Sequence, residues 1–435
     1  MLYYSTGGKS TPVSLKEAVL RGLAPDGGLY MPCSIPGMAP AYFKSIKKLS
    51  LKEIAFDVAS LFLKEDVPSK TLSGIVNESL DFPVPVSLVE NNLYSLELFH
   101  GPTMAFKDVG ARFMSRLMAY LYRNENKALN VIVATSGDTG SAVAAGFFGV
   151  QGINVIVLFP KGRVSPLQQK QITTWGGNIH ALEVDGNFDD CQNLARQMLG
   201  NRKLNSELSL TSANSINIAR LIPQSFYYFY AFARIAETGN PLVFSVPSGN
   251  FGNLTGGLIA RAAGLPAGMF IASTNINDVF PLFLKTGKYK PSASKQTISS
   301  AMDVGDPSNF DRIKSLMGDS IVSFRESMVS YSFSDQETAR AISDVYKASG
   351  YLMDPHGAVA FLGLKKYFSE EKGEITGVFL ETAHPAKFPE TMKTILGGYD
   401  YVPPQLQMVL NKKEKFISVT NDPAEAESYI RRINS

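Results

Sequence analysis

From Asn130 onward the chain alternates short runs of β-branched and apolar residues with longer stretches whose apolar positions recur at helical spacing. Continuous apolar runs of this length mark strands buried on both faces, and their alternation with amphipathic stretches marks βα units and a mainly parallel sheet. The pattern predicts strands over residues 131–134, 155–159, 179–184, 242–246, 269–272 and 376–380. It predicts helices over 109–122, 141–149, 166–175, 189–199, 216–238 and 253–263. Before about residue 93 the pattern changes, with helical stretches at 15–21 and 51–63 joined by proline-rich connections. A stretch rich in Pro, Ser and Lys at 286–300 reads as an excursion or loop.

These elements imply an α/β chain of two domains, each a mainly parallel, open, twisted sheet flanked by helices. Residues 1–95 are expected as an N-terminal segment packed on the larger domain, 96–215 as a smaller, mobile domain, and 216–435 as the larger domain with a C-terminal helical extension. In such sheets ligands gather beyond the ends of the strands, which directs attention to the loops that follow them.

Composition narrows the function. The 435 residues are 45% hydrophobic and 19% charged, with a formal net charge of +3 and no block of like charges, so nothing favours a nucleic-acid partner. Cys33 and Cys191 are the only cysteines, too few for a disulfide framework and consistent with the reducing cytoplasm. The N-terminus has no secretory pattern, and no apolar run is long enough to span a membrane. The four histidines, His100, His180, His356 and His384, show no metal-binding spacing. Gly8-Lys9-Ser10 looks like the tail of a phosphate-binding P-loop but lacks its first glycine, because position 3 is Tyr.

Candidate chemistry starts at Lys107, which follows the turn His100-Gly-Pro-Thr and precedes a helical stretch. An unperturbed lysine is neutral in only about 1 molecule in 2,500 at pH 7, so amine chemistry there needs desolvation or a carbonyl partner. Three loops after strands supply companions. Ser136-Gly137-Asp138-Thr139 is rich in donors at a helix start, fit for a carboxylate or for an ordinary helix cap. Gly249-Asn250-Phe251-Gly252-Asn253 lets the backbone wrap an anion such as a phosphate. Thr382, in Glu381-Thr-Ala-His384, can offer a neutral hydroxyl to a heterocyclic nitrogen. Asn214, Ser215, Asn217 and Arg220 form a further polar group that can hold a second phosphate or simply cap a helix.

In this order, Lys107 and the three loops resemble the threonine synthase family of fold-type II pyridoxal phosphate enzymes. Tyr4-Ser-Thr-Gly-Gly8 and the run from Leu23 to Pro32 extend the resemblance over nearly the whole chain. Gly7 stands where the family often has arginine, so no arginine role carries over to that position. The resemblance implies a tryptophan synthase β-like fold with the cofactor in an interdomain cleft, and a lyase of amino-acid biosynthesis that makes L-threonine and phosphate from O-phospho-L-homoserine and water. Lys107 would carry pyridoxal 5'-phosphate as an imine, and Gly249, Asn250, Phe251, Gly252 and Asn253 would cradle its phosphate. Thr382 would face the pyridine nitrogen and Asp138 the phenolic oxygen. Ser136, Gly137 and Thr139 would hold the substrate carboxylate, and Asn214, Ser215, Asn217 and Arg220 the substrate phosphate. A cytoplasmic monomer or homodimer is expected, without metal, nucleic acid or membrane. The rival expectations are a related serine or threonine dehydratase, a catalytically silent cofactor-binding homologue and a nucleotide-binding module.

Overall fold

The computed structural model describes residues 1–235 and 239–434, so the last three positions of the helix expected over 216–238 lie outside the described residues. The chain divides into two compact units. The first comprises residues 1–33, 107–220 and 402–435, and the second residues 34–106 and 221–401.

The first unit is built on a five-stranded parallel sheet in the order Phe416–Val419, Ile179–Val184, Ile153–Pro160, Leu129–Ala134 and Leu210–Ser212. Every residue of the inner strand Leu129–Ala134 is buried, as a strand covered on both faces requires. Ile132, Ile156, Leu158 and Leu182 form its core with Cys191, Leu194 and Met198 of the helix Phe188–Gly200. Ala426 and Ile430 of the helix Pro423–Ile433 complete the same core. A small antiparallel sheet of Leu2–Ser5, Val13–Ser14 and Tyr30–Pro32 belongs to this unit as well.

The second unit holds a six-stranded sheet in the order Met328–Ser332, Phe270–Thr274, Leu242–Pro247, Thr376–Glu381, Leu93–Glu97 and Val86–Glu90. Only its last pair is antiparallel. The helix Pro355–Glu370 lays Phe361 and Leu364 on Val243, Ile271 and Phe379.

This division corrects the domain boundaries expected from sequence. The first 33 residues join the first unit because Asn217 donates to the carbonyl of Val19 at 2.8 Å, tying down the helix Leu15–Arg21. The last 34 residues join it through a parallel strand and a core helix rather than extending the larger unit. Strand Leu93–Glu97 pairs with Thr376–Glu381, so the first unit resumes only at Lys107. The helix expected from 216 is also interrupted, into Ile218–Leu221, a 3₁₀ turn Ile222–Ser225 and Phe226–Ile235. Pro223, which has no N–H to donate, falls at the break.

Candidate active site

In the first unit Lys107 is the first residue of the helix Lys107–Tyr122. Its Nζ lies 3.4 Å from Asp138 Oδ2, and the two side chains are only 15% and 4% exposed. Asp138 opens the helix Asp138–Phe147, and its other oxygen accepts from Gln168 Nε2 at 3.0 Å. The amine is thus desolvated and faces an opposite charge. A buried carboxylate beside it favours the protonated amine, whereas burial favours the neutral one.

The loop between strand and helix is shaped by Thr135, whose hydroxyl accepts from the N–H groups of Gly137 at 2.9 Å and Gly140 at 2.8 Å. Gly137 has φ 150°, and a Cβ there would fall 2.6 Å from the Gln168 amide. Only glycine fits. Ser136 is exposed and Thr139 half-buried, and Gly137 at the helix start has no side chain of its own to cap it, so the first turn takes a side-chain acceptor from Thr135, at Gly140 N. A helix start of this kind attracts an anion such as a carboxylate.

The polar group at 214–220 is divided in its work. Both amide atoms of Asn214 bond the backbone of Ala134, at 2.8 and 3.2 Å. Asn217, fully buried, donates to Val19 and Ser212 carbonyls and accepts from Ala219 N. Its amide N–H groups are turned to the protein's own carbonyls. Arg220 is buried and donates to the carbonyl of Ala213 at 2.7 Å. Burial pulls its guanidinium down to about 10, still charged at neutral pH. Near the N-terminus Gly7 lies against Asp26, whose carboxyl carbon is 2.8 Å from where a Cβ would be.

In the second unit the loop 249–253 joins strand Leu242–Pro247 to the helix Gly252–Ala262. Phe251 takes a left-handed conformation, φ 60°, and caps the helix without a side-chain acceptor. Asn250 is fixed by Asn309, whose amide donates to its carbonyl at 2.9 Å. Asn253 is more telling. Its Oδ1 accepts from Tyr227 at 2.6 Å and lies 2.9 Å from the Tyr228 hydroxyl, while its buried Nδ2 has no partner among the described residues. Burial raises both tyrosines well above their ordinary value, with the Tyr228 neighbour adding to the effect on Tyr227, so both remain hydroxyl donors. The pair therefore turns the amide so that an N–H₂ group is left over. An unsatisfied buried donor costs about 1–3 kcal/mol, and an anion at the open helix start would satisfy it.

Thr382, also in this unit, is 6% exposed. Its carbonyl accepts from Phe106 N at 2.9 Å, and His384 N donates to Met104 O at 3.1 Å. These two bonds frame an antiparallel bridge between Ala105 and Ala383. Met104 holds φ 58°, and Lys387, buried, donates to the Thr103 carbonyl at 3.0 Å. The turn that ends at Phe106 is thereby locked to the Thr382 loop. Beside Thr382, Glu381 is completely buried, and burial together with the Asp354 charge pushes it well above the carboxylate range. Gln168, Tyr227, Tyr228 and Lys387 were not singled out in the sequence. Their partners lie 25 or more positions away in all four cases, and no local pattern marks them.

The chain is similar to known proteins along nearly its whole length. Residues 86–380 match the family model described as pyridoxal-phosphate dependent enzyme. Residues 2–80 match the threonine synthase N terminus, and residues 357–430 the threonine synthase C-terminal model. The chain is 42% identical over 407 residues to the threonine synthase of Escherichia coli (strain K12), covering 93% of this chain and 94% of that relative. The crystal structure of threonine synthase from Escherichia coli superposes with a TM-score of 0.92 over 100% of both chains, at 39% identity. The pyridoxal-phosphate-bound threonine synthase from Brucella melitensis gives 0.93 at 35% identity, over 100% of this chain and 99% of that one.

Proposed function

Since the chain belongs to the threonine synthase family of pyridoxal-phosphate-dependent enzymes, we propose that it converts O-phospho-L-homoserine and water into L-threonine and phosphate, with Lys107 as its central residue. The observation that carries this reading is the desolvated Lys107 amine, 3.4 Å from Asp138.

The residues present suit the cofactor. Lys107 would attach it, the backbone of Gly249, Asn250, Phe251 and Gly252 with the spare Nδ2 of Asn253 would hold its phosphate, and the neutral Thr382 hydroxyl would meet its ring nitrogen. Asp138 would stand near its phenolic oxygen. When bound, the ring supplies a sink for the electron pair left on carbon each time a proton is removed.

The protein's own groups do the rest. Ser136, Gly137 and Thr139 hold the substrate carboxylate at the open helix start. Ser215 and Arg220 take the substrate phosphate, while Asn214 and Asn217 hold the surrounding backbone in shape. Lys107, once released, takes the Cα proton and then a Cβ proton. Phosphate departs from Cγ, a proton is returned to Cγ, water adds its hydroxyl at Cβ and yields its other proton to a base, and a proton is returned to Cα to complete the threonine. Asp138 keeps the lysine's charge compensated between these transfers.

The two cysteines are unbonded, Cys33 exposed and Cys191 buried, which supports a cytoplasmic location. No helix among the described residues is long and apolar enough to cross a membrane. A monomer or homodimer is the proposed assembly, to be read by sedimentation. The deciding experiment is incubation with O-phospho-L-homoserine: threonine and phosphate should appear in equal amounts. α-Ketobutyrate as the main product would instead indicate a dehydratase.

A further inference from the structure

Beneath the two cofactor loops of the second unit lies a buried polar cluster to which the proposed reaction gives no part. Asp354 is completely buried and caps the helix Pro355–Glu370, accepting from His356 N at 2.8 Å and Gly357 N at 3.3 Å. Its other contacts leave the helix. Oδ2 accepts from Ala383 N at 3.3 Å, and the Asp354 N–H donates to Glu381 Oε2 at 3.1 Å. Ala383 and Glu381 are the neighbours of Thr382 on either side. The helix can approach this closely only because residue 357 is glycine, since a Cβ there would lie 2.1 Å from Glu381 Oε1.

His356, 2% exposed, carries the line in the other direction. Its Nδ1 lies 2.5 Å from Asp354 Oδ1, and its Nε2 accepts from Ala301 N at 3.3 Å. The accepting nitrogen carries no proton, so the ring proton sits on Nδ1 and is given to Asp354. Ala301 and Met302 in turn lie against the phosphate loop. A Cβ on Gly249 would fall 2.9 Å from Met302 Cα and 3.0 Å from the Ala301 carbonyl oxygen. The far side of that turn is held by Asp303, which accepts from Thr297 N at 3.0 Å, Thr297 Oγ1 at 2.7 Å and Asn275 Nδ2 at 2.9 Å.

We propose that Asp354 and His356 are positioning residues that hold the Thr382 loop and the phosphate loop 249–253 in register with each other. The inference rests on the pyridoxal phosphate reading and deepens it. Ring nitrogen and phosphate are parts of one small, stiff molecule, so the loops that hold them must keep a fixed separation, and displacements of about 1 Å are costly. The path from Ala383 through Asp354 and His356 to Ala301 runs through two buried side chains and ends on the backbone N–H of Ala301, an exposed residue, with no flexible surface side chain in it. Neither residue touches the reacting atoms in this scheme.

The test compares His356→Gln, whose amide oxygen can replace Nε2 toward Ala301, with His356→Ala, which cannot. Ala301→Pro removes the donor from the other side. Proline is tolerated in the first turn of the short segment Ser300–Met302. Each apo-protein is titrated with pyridoxal phosphate by visible absorption, and its thermal midpoint is measured. His356→Ala and Ala301→Pro should each weaken cofactor binding about tenfold, the worth of one buried hydrogen bond, and His356→Gln should recover most of it. A purely structural role would shift the apo midpoints without this pattern of affinities. Cofactor binding as tight in His356→Ala and Ala301→Pro as in the unsubstituted protein overturns the inference alone. So does a loss that His356→Gln fails to recover. Failure of the unsubstituted protein to bind pyridoxal phosphate would overturn the functional reading, and this inference with it.

Discussion

The N–H of Phe106 donates to the carbonyl of Thr382 at 2.9 Å, so the residue before the lysine and the residue meant for the ring nitrogen share one hydrogen bond. With His384 N on Met104 O and Lys387 on Thr103 O, the approach to Lys107 has three ties to one loop.

Replacing Lys107 by Ala should abolish the visible absorption of bound pyridoxal phosphate and lower kcat by about 10³-fold or more, the scale of losing a positioned acid–base group. Spectra and steady-state rates on the same preparation check this. A variant with full activity would remove Lys107 from the mechanism.

Tyr227→Phe with Tyr228→Phe should free the Asn253 amide to rotate, because both hydroxyls at its Oδ1 would be gone. Cofactor affinity should fall about tenfold, as expected for losing one oriented donor. Equilibrium dialysis with pyridoxal phosphate gives the number, and either single variant should show a smaller loss.

Gly137→Ala adds a Cβ at 2.6 Å from the Gln168 amide in a backbone conformation foreign to alanine. Stability should drop by about 1–3 kcal/mol. If the loop relaxes instead of unfolding, the Asp138 contact with Gln168 is broken and the KM for substrate should rise. Urea unfolding and kinetics together separate the two.

His384 gives a pH prediction. Burial first, and the nearby His100 charge second, pull its imidazole down to about 4. Its Nδ1 accepts from Ala386 N at 3.0 Å, a bond that protonation destroys. The unfolded chain takes up its proton near the ordinary value of about 6.5, so between 6.5 and 4 the unfolded state binds more protons. Stability from this group is therefore complete above pH 6.5 and declines as pH falls toward 4. Urea midpoints at pH 7.5 and 5 should differ less in His384→Gln than in the unsubstituted protein.

Six strands, Val131 to Ala134 among them, were readable in the sequence because buried parallel strands leave apolar runs that the loop glycines interrupt sharply, whereas Val86–Glu90, Leu93–Glu97, Leu210–Ser212 and Met328–Ser332 were not called. Lys107, the donors after residue 135 and the loop 249–253 were legible for the same reason. The division of the chain was not. Strand Phe416–Val419 shows three exposed residues and one buried, a pattern too faint to announce a sheet edge. Asn217 and Arg220 share a helical face by spacing, but a hydrogen bond to Val19, 198 positions earlier, draws Asn217 to the protein's own backbone. Asp354 drew no reading from the sequence and His356 only the lack of metal-binding spacing, since their partners at 301 and 383 are distant in the chain.

The three-segment first unit also has an order of manufacture. Strand Ile179–Val184 is synthesised long before its neighbour Phe416–Val419, with residues 221–401 of the second unit emerging between them. Until the last 34 residues leave the ribosome, that strand presents a bare parallel edge, the kind of surface that recruits other chains. Ala426 and Ile430 close the core only at the very end. A chain truncated after residue 401 would keep every proposed catalytic residue, and its fate would be aggregation during synthesis rather than slow turnover.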